Sequence, residues 1–209
     1  MSETGCITDA DVPADTIVFF DFDGTLSTRD SLLPFLYFTL GTSGLLWTCL
    51  RASPWLVGYG LRLISNNAAK ERLLSIAFKG RTISSLQEQG RIFANTVLPS
   101  MLRPDMMARV AGYRKAGCCC VLVSASLDIY LQPWAGAAGM DAVLCSSLSY
   151  GVSGQVTGGF EGTNCYGEEK VRRIQAFLEK RGTGTSSTIL AYGDSRGDIP
   201  MMKLANKSW

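Results

Sequence analysis

The chain of 209 residues contains no histidine. That excludes Ser-His-Asp and Cys-His catalysis and any His-ligated metal centre. Proton transfer must fall to carboxylates, lysine, tyrosine or cysteine. A CxxC pair is also missing, although there are seven cysteines, three of them consecutive (Cys118, Cys119 and Cys120). An odd count with no disulfide-like framework points to a reducing compartment, and so to the cytoplasm. The triple cysteine reads as small apolar filler in a buried strand. Charge is sparse, at 18% of residues, against a usual share of about 25%. The formal net charge of +2 makes no electrostatic case for nucleic acid. Residues 1–15 carry acids and lack a basic stretch followed by an apolar core, so they read as a frayed lead-in rather than a signal peptide.

What is present suffices for one domain, or one domain with a modest insertion, since 46% of residues are hydrophobic. Thr16-Ile17-Val18-Phe19-Phe20 reads as a buried strand ending at Asp21. No charge occurs over residues 31–50 or 52–61, and Pro34, Gly41, Gly44, Pro54, Gly58 and Gly60 interrupt the run. Several short apolar helices are expected there, followed by helices over residues 68–78 and 83–97. Residues 30–100 are therefore assigned to a helical insertion, and residues 1–29 and 101–209 to the core. In the core, a helix capped by Asp105 and stopped by Gly117 precedes a strand over residues 118–123 that ends at Ser124. A strand over residues 142–145, a glycine-rich hairpin over 148–160, a helix over 167–180 and a strand over 188–192 complete the pattern. Alternating strands and helices predict an α/β fold with a Rossmann-like parallel sheet flanked by helices. Ligands of such sheets bind outside the carboxyl ends of the strands, where Asp21, Ser124 and Asp194 would converge.

Asp21 and Asp23 are two apart on an extended chain and point the same way. Carboxylates so close raise one another's pKa unless a cation neutralises them. A hard divalent cation such as Mg²⁺ does so through oxygen ligands. One carboxylate can then attack phosphorus while the other handles protons. The bland alternative is a solvated turn. Ser124 and the N–H groups after its strand can bind phosphate oxygens, or the serine can cap a helix. Lys170 stands in the first turn of a helix, where the helix dipole disfavours a cation. It can neutralise phosphate charge and hold the nucleophile, or simply be solvated. Arg172, Arg173, Lys180 and Arg181 read as a solvated face. Asp194 is a candidate metal ligand, and Asp198 a candidate to orient metal-bound water or Lys170.

Taken together, Asp21-Phe22-Asp23-Gly24-Thr25-Leu26, Ser124, Lys170 and Gly193-Asp194-Ser195-Arg196-Gly197-Asp198 resemble the haloacid dehalogenase superfamily of hydrolases. The nearest branch is the phosphoserine-phosphatase-like subfamily IB, within it a bacterial subgroup that includes the phosphatidylglycerophosphatase C type. The resemblance spans residues 17–204. It implies a helical cap inserted after the first motif and a small β-hairpin. It implies that Asp21 becomes aspartyl-phosphate and that Asp23 is the acid and base. Mg²⁺ would be held by Asp21, Asp194 and the backbone carbonyl of Asp23. Ser124, the Ala125 N–H and Lys170 would bind the phosphoryl group, and Thr25 would orient Asp23. Asp23 argues for phosphate, since dehalogenases usually lack it.

Ala125 and Gly197 depart from the phosphoserine phosphatases, which usually carry Gly and Asn there. Asp30 stands where those enzymes read the substrate amine with Glu, and it can equally cap the helix that starts beside it. The chain also stops at Trp209, so a last strand common in the family is expected to be missing. The expected partner is a small phosphorylated substrate or a lipid headgroup phosphate. The alternatives to a soluble phosphatase are a lipid phosphatase peripheral to the inner membrane, phosphoserine phosphatase and a non-catalytic phospho-aspartate switch. Oligomeric state is not legible.

Overall fold

A computed structural model describes residues 13, 15–182 and 187–209. The lead-in expected over residues 1–15 lies, apart from Pro13 and Asp15, outside these. Five strands form one parallel sheet: β1 (Thr16–Phe20), β2 (Cys119–Leu127), β3 (Ala142–Ser146), β6 (Thr188–Tyr192) and β7 (Lys207–Ser208), in the order β3-β2-β1-β6-β7. A separate hairpin joins β4 (Leu148–Tyr150) to β5 (Val156–Phe160). The helices are α1 (Leu32–Gly60), α2 (Asn66–Phe78), α3 (Ile83–Thr96), α4 (Pro104–Lys115), α5 (Asp128–Ala138), α6 (Glu168–Arg181) and α7 (Ile199–Leu204). This is the α/β architecture expected.

β1 is buried along its whole length, because strands flank it on both sides and helices cover both faces. Its side chains alternate between the two covers. Val18 and Phe20 join a cluster with Val110, Tyr130 and Trp134 from α4 and α5. Ile17 and Phe19 join Ile174 of α6 and Met201 of α7. The cysteines follow the same alternation: Cys118 and Cys120 face the first cluster and Cys119 the second. They are small apolar filler, and burial pushes the Cys120 thiol up to about 12. Phe35 links the inserted helices to the core, with its ring 4.8 Å from Tyr130 and 5.2 Å from Phe93.

The register decides where the site lies. Phe20 pairs with Leu122 on one side and Tyr192 on the other. The residues that follow, Asp21, Val123 and Gly193, therefore emerge level at one sheet edge.

Four expectations need correcting. The apolar stretch forms two helical segments rather than several short ones: α1 is interrupted at Gly41, whose φ of 68° and ψ of −178° lie outside helical space and suit a residue without Cβ. Pro34 sits near the start of α1, where its missing N–H costs little. Pro54 would orphan the Leu50 carbonyl, but Ser53 Oγ donates to it at 2.8 Å. Asp105 does not cap α4; the helix begins one residue earlier, at Pro104, and Asp105 lies in its first turn. β2 runs on to Leu127, so Ser124 lies inside the strand, at a register shift. Finally, the edge strand β7 exists, short but paired with β6 through Leu190 and Ala191.

Candidate active site

A cleft of about 400 Å³ opens at the level strand ends. Asp21, Asp23, Ser124, Ala125, Lys170, Asp194 and Asp198 all line it, as does Asp30. Segments far apart in sequence thus meet, as their places after strands predicted.

Its centre is a buried ionic knot. Lys170 Nζ donates to Asp21 Oδ1 at 2.6 Å, to Asp198 Oδ1 at 2.5 Å and to the Val123 carbonyl at 2.9 Å. Its three donors are fully used, which is why a lysine persists at only 2% exposure. Burial pulls its pKa down, but Asp21 and Asp198 outweigh that and hold it above the usual lysine range. Asp198 is anchored in turn by Ser195, whose N–H and hydroxyl donate to Oδ2 at 3.0 and 2.5 Å. Of the two roles read for Asp198, the geometry realises the contact with Lys170. For Asp21 burial dominates: it raises the carboxyl to about 7, against the pull of Lys170 and with the push of Asp198.

Asp23 is turned to a different set of partners. The Ser31 N–H donates to Oδ1 at 2.8 Å, and the Ser126 hydroxyl donates to Oδ2. Ser31, Ser126 and Tyr130 share one hydroxyl cluster, with Ser31 Oγ 3.2 Å from Ser126 Oγ and 3.1 Å from Tyr130 Oη. Burial, then the nearby Asp30, raise the Asp23 pKa. Thr25 was expected to orient Asp23, but its hydroxyl lies 3.5 Å from Asp194 Oδ1 instead. The turn after β1 carries Thr25 round to the far side. Gly24 makes that turn at φ 81°, and a Cβ there would sit 2.1 Å from Asp194 Oδ2. Only glycine admits both the backbone angle and the carboxylate.

Carboxylate oxygens of Asp21, Asp194 and Asp198 lie within 4.8 Å of one another. Burial, then Asp198, raise the Asp194 pKa. Three hard oxygen donors against one lysine leave negative charge in excess, which is a donor set suited to a hard divalent cation. The side chain of Asp23 is not in this group; only its backbone carbonyl was assigned to a metal.

Ser124 is buried and its Oγ accepts from the Ser126 N–H at 3.1 Å. Ala125 offers its carbonyl to Lys70 Nζ at 2.6 Å. Asp30 Oδ1 accepts from the N–H groups of Leu32 and Leu33 at 2.9 and 3.3 Å, so it caps α1 while still lining the cleft. Arg173, expected to be solvated, instead holds the β3 end: its guanidinium donates to the carbonyls of Cys145 and Thr163, the latter at 2.6 Å.

Among the residues at or beside the cleft, the sequence reading gave no role to Lys70, Ser126 and Asn66. Lys70, on α2, is a second cation beside Asp23 and Asp30, and burial lowers its pKa against their pull. Its only signal was being one of three cations in a stretch without acids, residues 31–70. Ser126, buried within β2, gave no signal of its own. Asn66 bridges the inserted helices to the core, its Oδ1 accepting from Asn164 Nδ2 at 2.9 Å.

Two cations, Lys170 and Lys70, thus line one cleft with the carboxylates of Asp21 and Asp23. The model of the haloacid dehalogenase-like hydrolase family matches residues 18–203. Protein CicA of Caulobacter vibrioides is 35% identical over 195 residues, which are 91% of this chain and 83% of that protein. A histidinol-phosphatase of Neisseria meningitidis serogroup C is 25% identical over 124 residues, 58% of this chain and 56% of that protein. Among solved structures, a Bordetella pertussis Tohama I protein of unknown function superposes with a TM-score of 0.80 at 24% identity, covering 92% of this chain and 88% of that one. A phosphoserine phosphatase solved as a phospho-aspartyl intermediate analogue gives 0.65 at 17% identity, covering 93% and 85%. These two structural likenesses establish the fold.

Proposed function

The chain belongs to the haloacid dehalogenase-like hydrolases, and from that membership we propose that it is a phosphatase that cleaves phosphomonoesters through an aspartyl-phosphate on Asp21. The observation that carries this reading is the division between two carboxylates on one cleft. Asp21 is fixed by Lys170, whereas Asp23 is held apart by Ser31 and Ser126.

In the first step an Asp21 oxygen attacks phosphorus in line, and the bond from phosphorus to the leaving oxygen breaks. Asp23, whose pKa burial and the nearby Asp30 raise, gives that oxygen a proton. In the second step Asp23 takes a proton from water, and the hydroxide attacks phosphorus to release inorganic phosphate and free Asp21. Lys170, its three donors held by Asp21, Asp198 and the Val123 carbonyl, offsets charge on the phosphoryl oxygens through space, with Ser124 and the Ala125 N–H as the donors. Asp21 and Asp194 would hold Mg²⁺, with the Asp23 carbonyl, and Asp198 is within reach of the same oxygens. The ion, when bound, offsets the negative charge of carboxylates and phosphate.

Small phosphorylated metabolites and lipid headgroup phosphates both fit this chemistry. Asp30 is committed to the α1 N–H groups, which weakens a role in reading the amine of phosphoserine. The test is Mg²⁺-dependent phosphate release from a generic aryl phosphate. Asp21→Asn is expected to lower the rate by at least about a thousandfold. Equal activity in the two proteins would sink the mechanism. A panel of phosphoserine, sugar phosphates and phosphatidylglycerophosphate then ranks substrates.

A further inference from the structure

From the outer face of α1 we infer that this helix lies in the plane of an anionic lipid bilayer, with the cleft held at its surface. A core helix of this apolarity would be mostly covered, yet just 22% of its most apolar window is buried. Leu46, Leu50, Val57 and Leu61 recur at helical spacing and are each at least 60% exposed. Trp47 adds 59% beside them. Thr48 and Ala52, on the other side, are buried, and α1 packs there against α2. An exposed apolar stripe of this extent marks a docking surface.

Charge and residue type select the occupant. No acid occurs over residues 31–70, where the charges are Arg51, Arg62 and Lys70. Arg51 lies 5.8 Å from the Trp47 ring centroid, and Arg72 lies 4.3 Å from that of Trp55. Apolar side chains edged by indoles and arginines, with no acid on α1 itself and Glu71 of α2 beside Arg72, complement the boundary between anionic headgroups and acyl chains. An isologous contact with a second copy would instead bring Arg51 and Arg62 toward their own kind. By length and composition α1 could cross a membrane, but the break at Gly41 and the face committed to α2 favour a helix lying in the surface. The surface is also joined to the cleft: Asn66 Nδ2 donates to Tyr59 Oη at 3.3 Å, and Asn66 lines the cleft with Lys70. The inference deepens the phosphatase reading by giving it a partner, but the test does not depend on catalysis.

The experiment is co-sedimentation of the full chain with vesicles of equal parts phosphatidylcholine and phosphatidylglycerol, against vesicles of phosphatidylcholine alone. Binding is expected to the first and to be weaker to the second. Combining Trp47→Ser, Leu50→Ser and Val57→Ser is expected to weaken it by about tenfold or more, with aryl phosphate hydrolysis unchanged as proof of folding. Arg51→Glu with Arg62→Glu is expected to abolish the preference for anionic vesicles. Asp21→Asn is expected to bind as the parent does, so this inference and the catalytic reading can fail separately. Failure of the parent to bind, equal binding by the triple variant, or a dimer that the triple variant dissociates without vesicle binding would each overturn the inference.

Discussion

The cleft and the outer face of α1 break the same rule in opposite directions. In the cleft, charged side chains are inside: Lys170, Asp21 and Asp198 are each under 7% exposed. Along α1, apolar side chains are outside, Leu50 at 65% and Trp47 at 59%. Buried charge persists where every donor finds an acceptor, as at Lys170. Exposed apolar surface persists where water is not the final neighbour. Each departure lies where the protein is proposed to meet a ligand rather than itself.

The largest effect expected comes from breaking the knot. Lys170→Met leaves Asp21 and Asp198 facing each other without a cation. Removing one partner of a buried pair costs about 3–5 kcal/mol, read by urea unfolding in EDTA, and phosphatase activity should fall with it. A variant as stable as the parent would mean that the lysine contributes little to the fold.

Next, α1 itself divides into a buried and an exposed side. Phe35 is fully buried among Phe78, Phe93 and Tyr130, and Phe35→Ala should cost about 3–5 kcal/mol. Leu50→Ala, on the exposed side, should change stability by no more than about 0.5 kcal/mol. Equal costs would show that the outer face is covered in solution and would erase the contrast.

The smallest effect concerns a buried charge outside the knot. Asp128, at the start of α5, has Oδ1 buried without a hydrogen-bond partner. Burial raises its pKa, so the folded state holds this proton more tightly than the unfolded chain. Stability from that proton is present below the unfolded pKa and is lost as pH rises through the folded one. Asp128→Asn should therefore match the parent in acid and exceed it slightly at neutral pH, checked by thermal unfolding across pH. A neutral-pH loss would mean that the ionised carboxylate contributes favourably to the α5 start, whose dipole attracts negative charge.

The sequence by itself determined the order of the strands and helices that carry the site, but not the extent of α1 and β2 or the presence of β7. Asp21 and Asp194 were legible because a buried strand is a continuous apolar run that stops where polar chemistry begins; Ser124 was legible by the same break in apolarity, although β2 continues past it. Lys170 was legible as a cation in an unfavourable helix turn. Tertiary structure decided what those signals could not carry. Lys70 reaches the cleft because α2 packs so that its side chain faces Ala125, a direction no local spacing encodes. Thr25 meets Asp194 and Ser126 meets Asp23 because of one turn at Gly24 and one strand irregularity near Ser124. The outer face of α1 was hidden for the plainest reason. A helix apolar on every side has no periodicity to mark its buried face, so only its packing on α2 settles which side is left over.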